Sequence, residues 1–320
     1  MAINNIETVK TKIDVIRNGL HEVIIGNDET IDMVLTTLLA GGHVLLEDTP
    51  GTGKTTLAKA LAKIVDVDFS RIQFTPDLLP ADITGLNIFS QKEEKFTFIE
   101  GPIMTNILLA DEINRATPRT QSALLEAMQE GQVTVDGESR ALNNPFFVIA
   151  TQNPIETAGT FPLPEAQLDR FTMQLSMGFP TPEQEEQLLI RFGSDNPLDR
   201  IEARISAQDI IEMKGMVRDV EIHPELVRYI VAITQATRNN SSIQIGASPR
   251  ASISMQNAVK AYALLNGRDY VVPEDIKTLV VPVLAHRLLF HSVSSYQEKA
   301  NILTGLISHI TVPSEDFNIK

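Results

Sequence analysis

Residues 51–55, Gly-Thr-Gly-Lys-Thr, match the end of the phosphate-binding pattern G-x-x-x-x-G-K-[ST]. Glycines in such a loop let backbone N–H groups turn toward phosphates, and the following helix N-terminus adds favourable partial charge. Lys54 is then expected to reach the β- and γ-phosphates, and the Thr55 hydroxyl to ligate Mg²⁺. The pattern predicts a site for ATP and Mg²⁺. Its expected nucleotide-binding residues are Gly51, Thr52, Gly53, Lys54, Thr55 and Thr56.

One position of this loop departs from the pattern. The first glycine of the motif is replaced by Asp48. Phosphates would repel a carboxylate that faced them. We therefore expect the Asp48 side chain to point away from the nucleotide, with the loop backbone as one available hydrogen-bond partner.

A pair of carboxylates follows a second apolar run. Residues 107–110 are Ile-Leu-Leu-Ala, and Asp111 and Glu112 come next. Ligands of open α/β sheets bind at the carboxyl ends of strands, so these side chains are expected near the phosphate loop. Asp111 is assigned to the Mg²⁺ shell, and Glu112 to orienting and deprotonating the attacking water. An acidic pair after a strand is also a common helix cap, but beside a phosphate loop it favours hydrolysis.

The elements that must position these residues alternate along the first two thirds of the chain. Apolar runs separated by helical patterns predict an α/β fold with a parallel sheet. The runs cover residues 43–47, 69–74, 107–110, 146–151 and 171–179. Two stretches, 86–100 and 132–143, interrupt the alternation with short β-like runs around polar turns. We interpret both as inserted β-hairpins; surface loops are the alternative.

Strand signals nearly vanish after the linker-like residues 193–197. Helix-start signals take their place, which predicts a small helical bundle. They are Ser206 with Asp209, His223-Pro224, Ser248-Pro249 and Val272-Pro273-Glu274. The predicted domains are therefore an α/β nucleotide-binding domain over residues 1–195 and an all-helical lid over residues 196–320.

Composition narrows the class of protein further. The 320 residues carry a formal net charge of −14 at a pI near 4.9, which disfavours broad nucleic-acid binding. Zero cysteines exclude disulfides and Cys-ligated zinc. The N-terminus has no signal-peptide pattern, and no stretch of about 18 apolar residues occurs. We expect a cytoplasmic protein that neither inserts into membranes nor requires nucleic acid.

Two longer segments resemble the signature of MoxR-family AAA+ ATPases. They are residues 111–130, which begin Asp-Glu-Ile-Asn-Arg-Ala-Thr-Pro, and residues 163–171, Leu-Pro-Glu-Ala-Gln-Leu-Asp-Arg-Phe. The similarity extends from about residue 25 to residue 288. It implies a P-loop core with a helical lid, assembled in a ring, usually a hexamer, with ATP between neighbouring subunits. It also implies that the two hairpins are the helix-2 insert and the hairpin before sensor 1, facing the pore or upper surface.

The resemblance carries roles to three further positions. Asn153, in Ala-Thr-Gln-Asn-Pro, resembles sensor 1, which helps to place the lytic water. Arg170 resembles the arginine finger that reaches the neighbour's nucleotide; a surface pair with Asp169 is the alternative. Arg250 resembles sensor 2, which the lid places over the γ-phosphate. A cation near a helix start is disfavoured by the helix dipole, which supports a functional reason for Arg250.

Other positions carry weaker assignments. Ile25 and Gly26, with Ile24, match the segment that packs on adenine, although core residues would look the same. Arg115 and Arg119 are candidates for contacts across the subunit boundary or for ordinary surface salt bridges.

The family resemblance implies an ATP-driven remodelling chaperone that acts with a von Willebrand factor A domain partner. A nucleic-acid-stimulated motor is an alternative because related helicases carry similar hairpins, but the acidic charge opposes it. A regulatory scaffold that binds ATP without turnover is a third possibility. The intact set of predicted catalytic residues disfavours that scaffold: Lys54, Glu112, Asn153, Arg170 and Arg250.

Overall fold

The computed structural model describes residues 5–49, 51–92, 94–153, 159–193, 195–291, 293 and 295–313. Its α-helices are α1 (Ile6–His21), α2 (Asp28–Leu39), α3 (Lys54–Ile64), α4 (Pro80–Thr84), α5 (Pro118–Glu130), α6 (Glu165–Leu168), α7 (Pro182–Phe192), α8 (Ala207–Met216), α9 (Pro224–Arg238), α10 (Pro249–Leu265), α11 (Pro273–Leu284) and α12 (Tyr296–Ser308). Its strands are β1 (Val44–Glu47), β2 (Phe69–Gln73), β3 (Gly85–Ser90), β4 (Lys95–Glu100), β5 (Ile107–Asp111), β6 (Gln132–Val135), β7 (Glu138–Ala141), β8 (Phe147–Gln152), β9 (Met173–Leu175), β10 (Ile243–Ile245) and β11 (Leu289–Phe290).

A five-stranded parallel sheet forms the centre of the α/β region. Its strand order is β2-β5-β8-β1-β9, and every neighbouring pair is parallel. Buried apolar side chains fill β1, β5 and β8, as expected where helices cover both faces of a sheet. The predicted α/β fold is confirmed. We call the side where these strands end the carboxyl edge, and the side where they begin the amino edge.

Strand β9 is shorter than the apolar run that predicted it. The run covers residues 171–179, whereas β9 ends at Leu175. The next residues turn around the buried Asp48 carboxylate, which accepts hydrogen bonds from Ser176 Oγ (2.6 Å), Met177 N (2.8 Å) and Gly178 N (3.1 Å). Because the carboxylate satisfies these backbone groups, the chain leaves the sheet without losing their hydrogen bonds.

Both interruptions of the α/β pattern are β-hairpins, as predicted. Strands β3 and β4 pair antiparallel, and so do β6 and β7. The second hairpin turns through Asp136 and Gly137, with φ of 51° and 83°, as a two-residue type I′ turn requires. The hairpins also touch each other: Asn87 Nδ2 donates to Asp136 Oδ2 (2.8 Å), and the Arg140 guanidinium lies 4.0 Å from the centre of the Phe98 ring. They therefore form one continuous surface.

The C-terminal region is a helical lid, also as predicted, with a small addition. Ser206 and Asp209 form the expected reciprocal cap at the start of α8, and β10 pairs with β11 as a two-stranded ribbon. Helix α10 packs against α1 and α2, and one apolar cluster continues from those helices through the sheet into the lid. The lid is thus firmly seated on the N-terminal helices. The domain boundary between residues 195 and 196 stays a prediction.

In the described ranges, no helix combines the length and the apolar character that crossing a bilayer requires.

Candidate functional site

The predicted phosphate loop connects β1 to α3 at the carboxyl edge. Gly51 and Gly53 have φ of 90° and 94°, conformations that side-chain-bearing residues rarely adopt. Lys54 Nζ donates to the carbonyl oxygens of Asp48 (2.9 Å) and Thr49 (3.1 Å). Burial lowers the pKa of Lys54, and the neighbouring carboxylates partly oppose that shift. The loop therefore holds a partly desolvated cation at its centre.

A cavity of about 400 Å³ opens above this loop. It gathers most of the residues that the sequence predicted for phosphate, metal and water. They are Gly51, Gly53, Lys54, Thr55, Thr56, Asp111, Glu112 and Asn153. The sequence did not single out four other lining residues, Arg71, Gln73, Thr151 and Gln152. Thr52 lies beside this cavity and lines a smaller one described below.

The Asp48 side chain points away from the phosphate site, as expected, but its hydrogen-bond partners are not in the phosphate loop. Its carboxylate oxygens are used by the turn at residues 176–178, outside the phosphate loop. The side chain is buried, and its negative charge is held by a hydroxyl and two backbone N–H groups. A carboxylate can therefore occupy the usual glycine position without facing the phosphates.

The acidic pair is held by a network around Thr151. The Thr151 hydroxyl donates to Asp111 Oδ1 (2.7 Å) and accepts from the Glu112 backbone N–H (2.8 Å). Arg71 Nη2 donates to Asp111 Oδ2 (2.6 Å). The Glu112 backbone is left-handed, with φ of 56°, and its carboxylate accepts from Gln73 Nε2 (2.8 Å). Strand β8 and strand β2 thus fix the two carboxylates from opposite sides of β5.

These residues fit a magnesium ion that also binds phosphate. The Thr55 hydroxyl and the Asp111 carboxylate line the same cavity. Mg²⁺ bound to nucleotide phosphates uses few protein oxygens and keeps several waters, so one hydroxyl and one carboxylate are a sufficient protein share. Asp111 Oδ1 keeps a second lone pair beyond the one used by Thr151, whereas Oδ2 accepts from both Arg71 Nε (3.2 Å) and Nη2 (2.6 Å).

A second cavity, of about 220 Å³, adjoins the other side of the loop. Ile24 and Ile25 line it, as the adenine assignment implied, together with Met177, Leu188 and Phe192. The sequence did not indicate the last three because they come from the turn after β9 and from α7. Among the described residues its lining is largely apolar, which suits a flat aromatic base.

Gly26 has a different part in this arrangement. Its φ is 69°, and a Cβ added there would fall 2.2 Å from the Gln184 side-chain nitrogen. A glycine at this position therefore lets the beginning of α7 approach the segment that carries Ile24 and Ile25.

Arg170 and Arg250 line one cavity, at the edge of the sheet opposite the phosphate loop. Both line a cavity of about 290 Å³ that also involves Gly42, His43 and Thr172, just before β1 and β9 begin. This is the amino edge. Arg250 lines this cavity and is not among the described residues that line the cavity above the phosphate loop, and its sensor 2 role stays a prediction. Packing of α10 against α1 and α2 seats the start of the lid helix at the opposite edge.

Arg170 is not paired with Asp169, which was the alternative reading of this segment. Arg170 Nη1 donates to the carbonyl oxygen of Leu125 (2.6 Å). Asp169 Oδ1 instead accepts from Arg287 Nε (2.7 Å), a lid residue that is itself buried. Burial lowers the pKa of Arg287 to about 10, and Asp169 opposes that shift. This buried ion pair fixes the lid to the segment that carries Arg170.

The remaining candidate cations are on the surface of the carboxyl edge. Arg115 Nη1 donates to Glu112 Oε2 (3.2 Å), and Arg119 is exposed in the first turn of α5. A contact of either residue across a subunit boundary stays a prediction.

Comparison with known families matches two parts of the chain. Residues 43–173 match the model of the ATPase family associated with various cellular activities (AAA), and residues 235–303 match that of the AAA lid domain. These ranges cover four of the five strands of the sheet, the phosphate loop, and the helices α10 and α11 of the lid.

Related proteins identify the family more narrowly. The chain is 42% identical to the chaperone MoxR1 of Mycobacterium tuberculosis over 88% of its length and 78% of the relative. It is 48% identical to YeaC of Bacillus subtilis over 92% of each chain. A solved structure from Cytophaga hutchinsonii superposes with a TM-score of 0.89 at 38% identity over 97% of both chains. The protein belongs to the MoxR family of AAA+ ATPases.

Proposed function

We propose that this protein hydrolyses ATP between the subunits of a homo-oligomeric ring and uses the cycle to remodel partner proteins. One observation carries the proposal. The phosphate-binding cavity and the acidic pair lie at one edge of the sheet, while the two arginines expected at the same reaction lie at the other. A chain arranged in this way holds two complementary halves of a site.

ATP is assigned to the two cavities that flank the phosphate loop. The base lies against Ile24 and Ile25, and the phosphates lie between the loop and the acidic pair. Lys54 binds the β- and γ-phosphates through its ammonium, and Thr55 and Asp111 hold Mg²⁺. When bound there, Mg²⁺ would supply positive charge that offsets the negative charge developing during phosphoryl transfer.

Glu112 is the proposed general base. Its carboxylate is held at the cavity by Gln73 and Arg115, within the lining that also contains Asn153. Glu112 orients the attacking water and accepts its proton, and Asn153 hydrogen bonds the same water or the γ-phosphate. Both roles need only short movements of side chains that already face the cavity.

Arg170 and Arg250 are proposed to complete the site of the adjacent subunit. Repeated head-to-tail contacts place the amino edge of one chain against the carboxyl edge of the next, and such contacts close into a ring when the rotation permits. We propose a hexamer, as is usual in the family. Both guanidinium groups would then stabilise charge on the neighbour's γ-phosphate.

The remodelling role rests on family membership. A relative at 42% identity is named as a chaperone, and the family resemblance implies a von Willebrand factor A domain partner. We propose the same kind of partner for this chain, in the cytoplasm, without nucleic acid and without membrane insertion.

Substitution of Glu112 by Gln tests the hydrolytic half of the proposal. Loss of a general base typically reduces turnover by about 10² to 10⁴, whereas the amide still accepts the Gln73 and Arg115 hydrogen bonds. We expect ATP affinity to remain within a few-fold of the wild type while phosphate release nearly stops. Glu130→Gln, at the exposed end of α5, is the matched control. Equal rates in wild type and E112Q would refute the base assignment, and an inactive wild type would favour the scaffold alternative.

A further inference from the structure

A further cavity lies outside the nucleotide site. Its volume is about 740 Å³, and it opens at the amino edge between the end of α2, helix α8 and helix α10. Pockets of roughly 300 to 1,000 Å³ are the size that small ligands occupy. The family roles assigned above use none of the cations that line it.

Three cations converge on this cavity. Lys214 is on α8, Arg218 follows in the turn after it, and Lys260 is on α10. None of the described lining residues is acidic. In a chain with a net charge of −14, this concave surface gathers three positive side chains without a carboxylate among its described lining.

Lys214 is the most informative of the three. It is half-buried, and its Nζ has no carboxylate or hydrogen-bond partner among the described residues. Burial lowers the pKa of Lys214 from its ordinary value. Its chain lies over Gly41, where an added Cβ would be 3.4 Å from Lys214 Cε. An ammonium kept partly out of water without an anion costs free energy, and a bound anion removes that cost.

The other cations are already oriented by the protein. Lys260 Nζ donates to the backbone carbonyl of Arg218 (3.0 Å), which holds α10 and the turn after α8 together. An ammonium has three donors, so two of those on Lys260 remain for a ligand. Amide side chains of Asn144, Gln256 and Asn257 supply further hydrogen-bonding groups around the rim.

We propose that this cavity binds a small anion carrying two or more phosphoryl groups, at a site separate from the ATP site. The three cations match such a ligand in charge, and Leu39, Ile211 and Val217 give the same cavity an apolar wall that a nucleoside could use. Concave shape favours a small ligand over an acidic protein surface, since protein partners bind flatter and larger areas.

The position of the cavity suggests what binding would affect. It shares Ala40, Gly41 and Asn257 with the cavity that contains Arg170 and Arg250. An anion there lies between the lid and the end of α2, beside the two arginines. The binding claim itself is independent of whether the protein hydrolyses ATP.

The test uses pyrophosphate and GDP, which carry equal numbers of phosphoryl groups, and isothermal titration calorimetry in EDTA. The background is the full chain with Lys54→Ala, which removes the phosphate-loop cation. We expect saturable binding in this background. Lys214→Gln should weaken it about tenfold or more, and Arg218→Gln, at an exposed position, should do the same, because each removes one charged hydrogen bond to the anion. Lys59→Gln, an exposed residue of α3, has the same charge change and should leave affinity unchanged.

The outcomes separate the possible ligands. Tighter binding of GDP than of pyrophosphate identifies a nucleotide that uses the apolar wall, and equal binding identifies a free polyphosphate; both support the proposal. Absence of binding in the Lys54→Ala chain overturns it, as does binding that K214Q and R218Q leave unchanged. Loss of oligomers in K214Q without any anion binding also overturns it and assigns these cations to a subunit contact.

Discussion

The two edges of the central sheet carry different sets of the predicted site residues. At the carboxyl edge, a phosphate loop faces Asp111 and Glu112 across one cavity. At the amino edge, Arg170 and Arg250 face another cavity beside His43. If both sets act on one ATP molecule, as we propose, the sheet separates them within one chain. The proposed hydrolysis then depends on the contact between subunits as much as on either subunit.

The largest effect is expected from removing Arg170. Arginine fingers contribute about 10³ to 10⁵ to the rate of related phosphoryl transfers, so Arg170→Ala should be nearly inactive as a homo-oligomer. Lys54→Ala should be inactive for a different reason, since it damages the carboxyl edge and leaves the amino edge intact. Co-expressed R170A and K54A chains should regain phosphate release, because K54A neighbours supply Arg170 to intact nucleotide sites.

The control for this experiment is Arg228→Ala, an exposed residue of α9 that pairs with Glu225. It removes an arginine from the lid and should leave the rate unchanged. A mixed R170A and K54A assembly no more active than its separate components would show that Arg170 does not act between subunits.

Arg250→Ala should have a smaller effect on the same reaction. A charged hydrogen bond contributes about 1.5 to 3 kcal/mol, which corresponds to a loss of roughly 10- to 100-fold in rate. Since Arg250 lies at the amino edge, co-expression with K54A should again restore activity. If Arg250 acted in its own chain after a lid movement, that mixture would stay at the level of R250A alone.

The contrast between the edges also marks what the sequence could predict. The phosphate loop and the acidic pair each follow directly on an apolar strand, so the local pattern is enough to place them at the carboxyl edge. Arg71 escaped notice because its contact with Asp111 depends on how β2 pairs with β5. The location of Arg250 depends on how α10 docks on α1 and α2, and no local spacing encodes that packing.

At the carboxyl edge, the contribution of Asp48 to the stability of the fold can be measured. Asp48→Gly restores the ordinary glycine of the phosphate motif, yet it removes the acceptor of Ser176 Oγ and of the Met177 and Gly178 N–H groups. Leaving buried donors unpaired should lower the free energy of unfolding by about 3 kcal/mol, measured by urea denaturation. Asp77→Gly, at an exposed position, is the control. A D48G chain as stable as the wild type would mean that the turn after β9 does not need the carboxylate.

His43 tests the amino edge, where a histidine next to two arginines is held neutral. Its Nδ1 accepts from Val148 N (3.0 Å), so the ring proton is on Nε2, which donates to the Met128 carbonyl (3.1 Å). Burial lowers the pKa of His43 from 6.5 to about 4; the hydrogen bond to the Met128 carbonyl opposes this shift, and the charge of Lys214 adds to it. The unfolded chain therefore binds a proton at His43 more readily than the folded chain does. The stability that comes from the neutral, buried His43 is present above pH 6.5 and is lost as the pH falls toward 4. Between pH 6.5 and pH 5 the loss should be about 2 kcal/mol.

Urea denaturation should show His43→Gln to be less stable at pH 7.5 but less sensitive to acid, while His309→Gln, on an exposed residue, retains the wild-type slope. Parallel pH profiles for wild type and H43Q would mean that His43 takes up its proton at the same pH in the folded and the unfolded chain, and that burial does not hold it neutral.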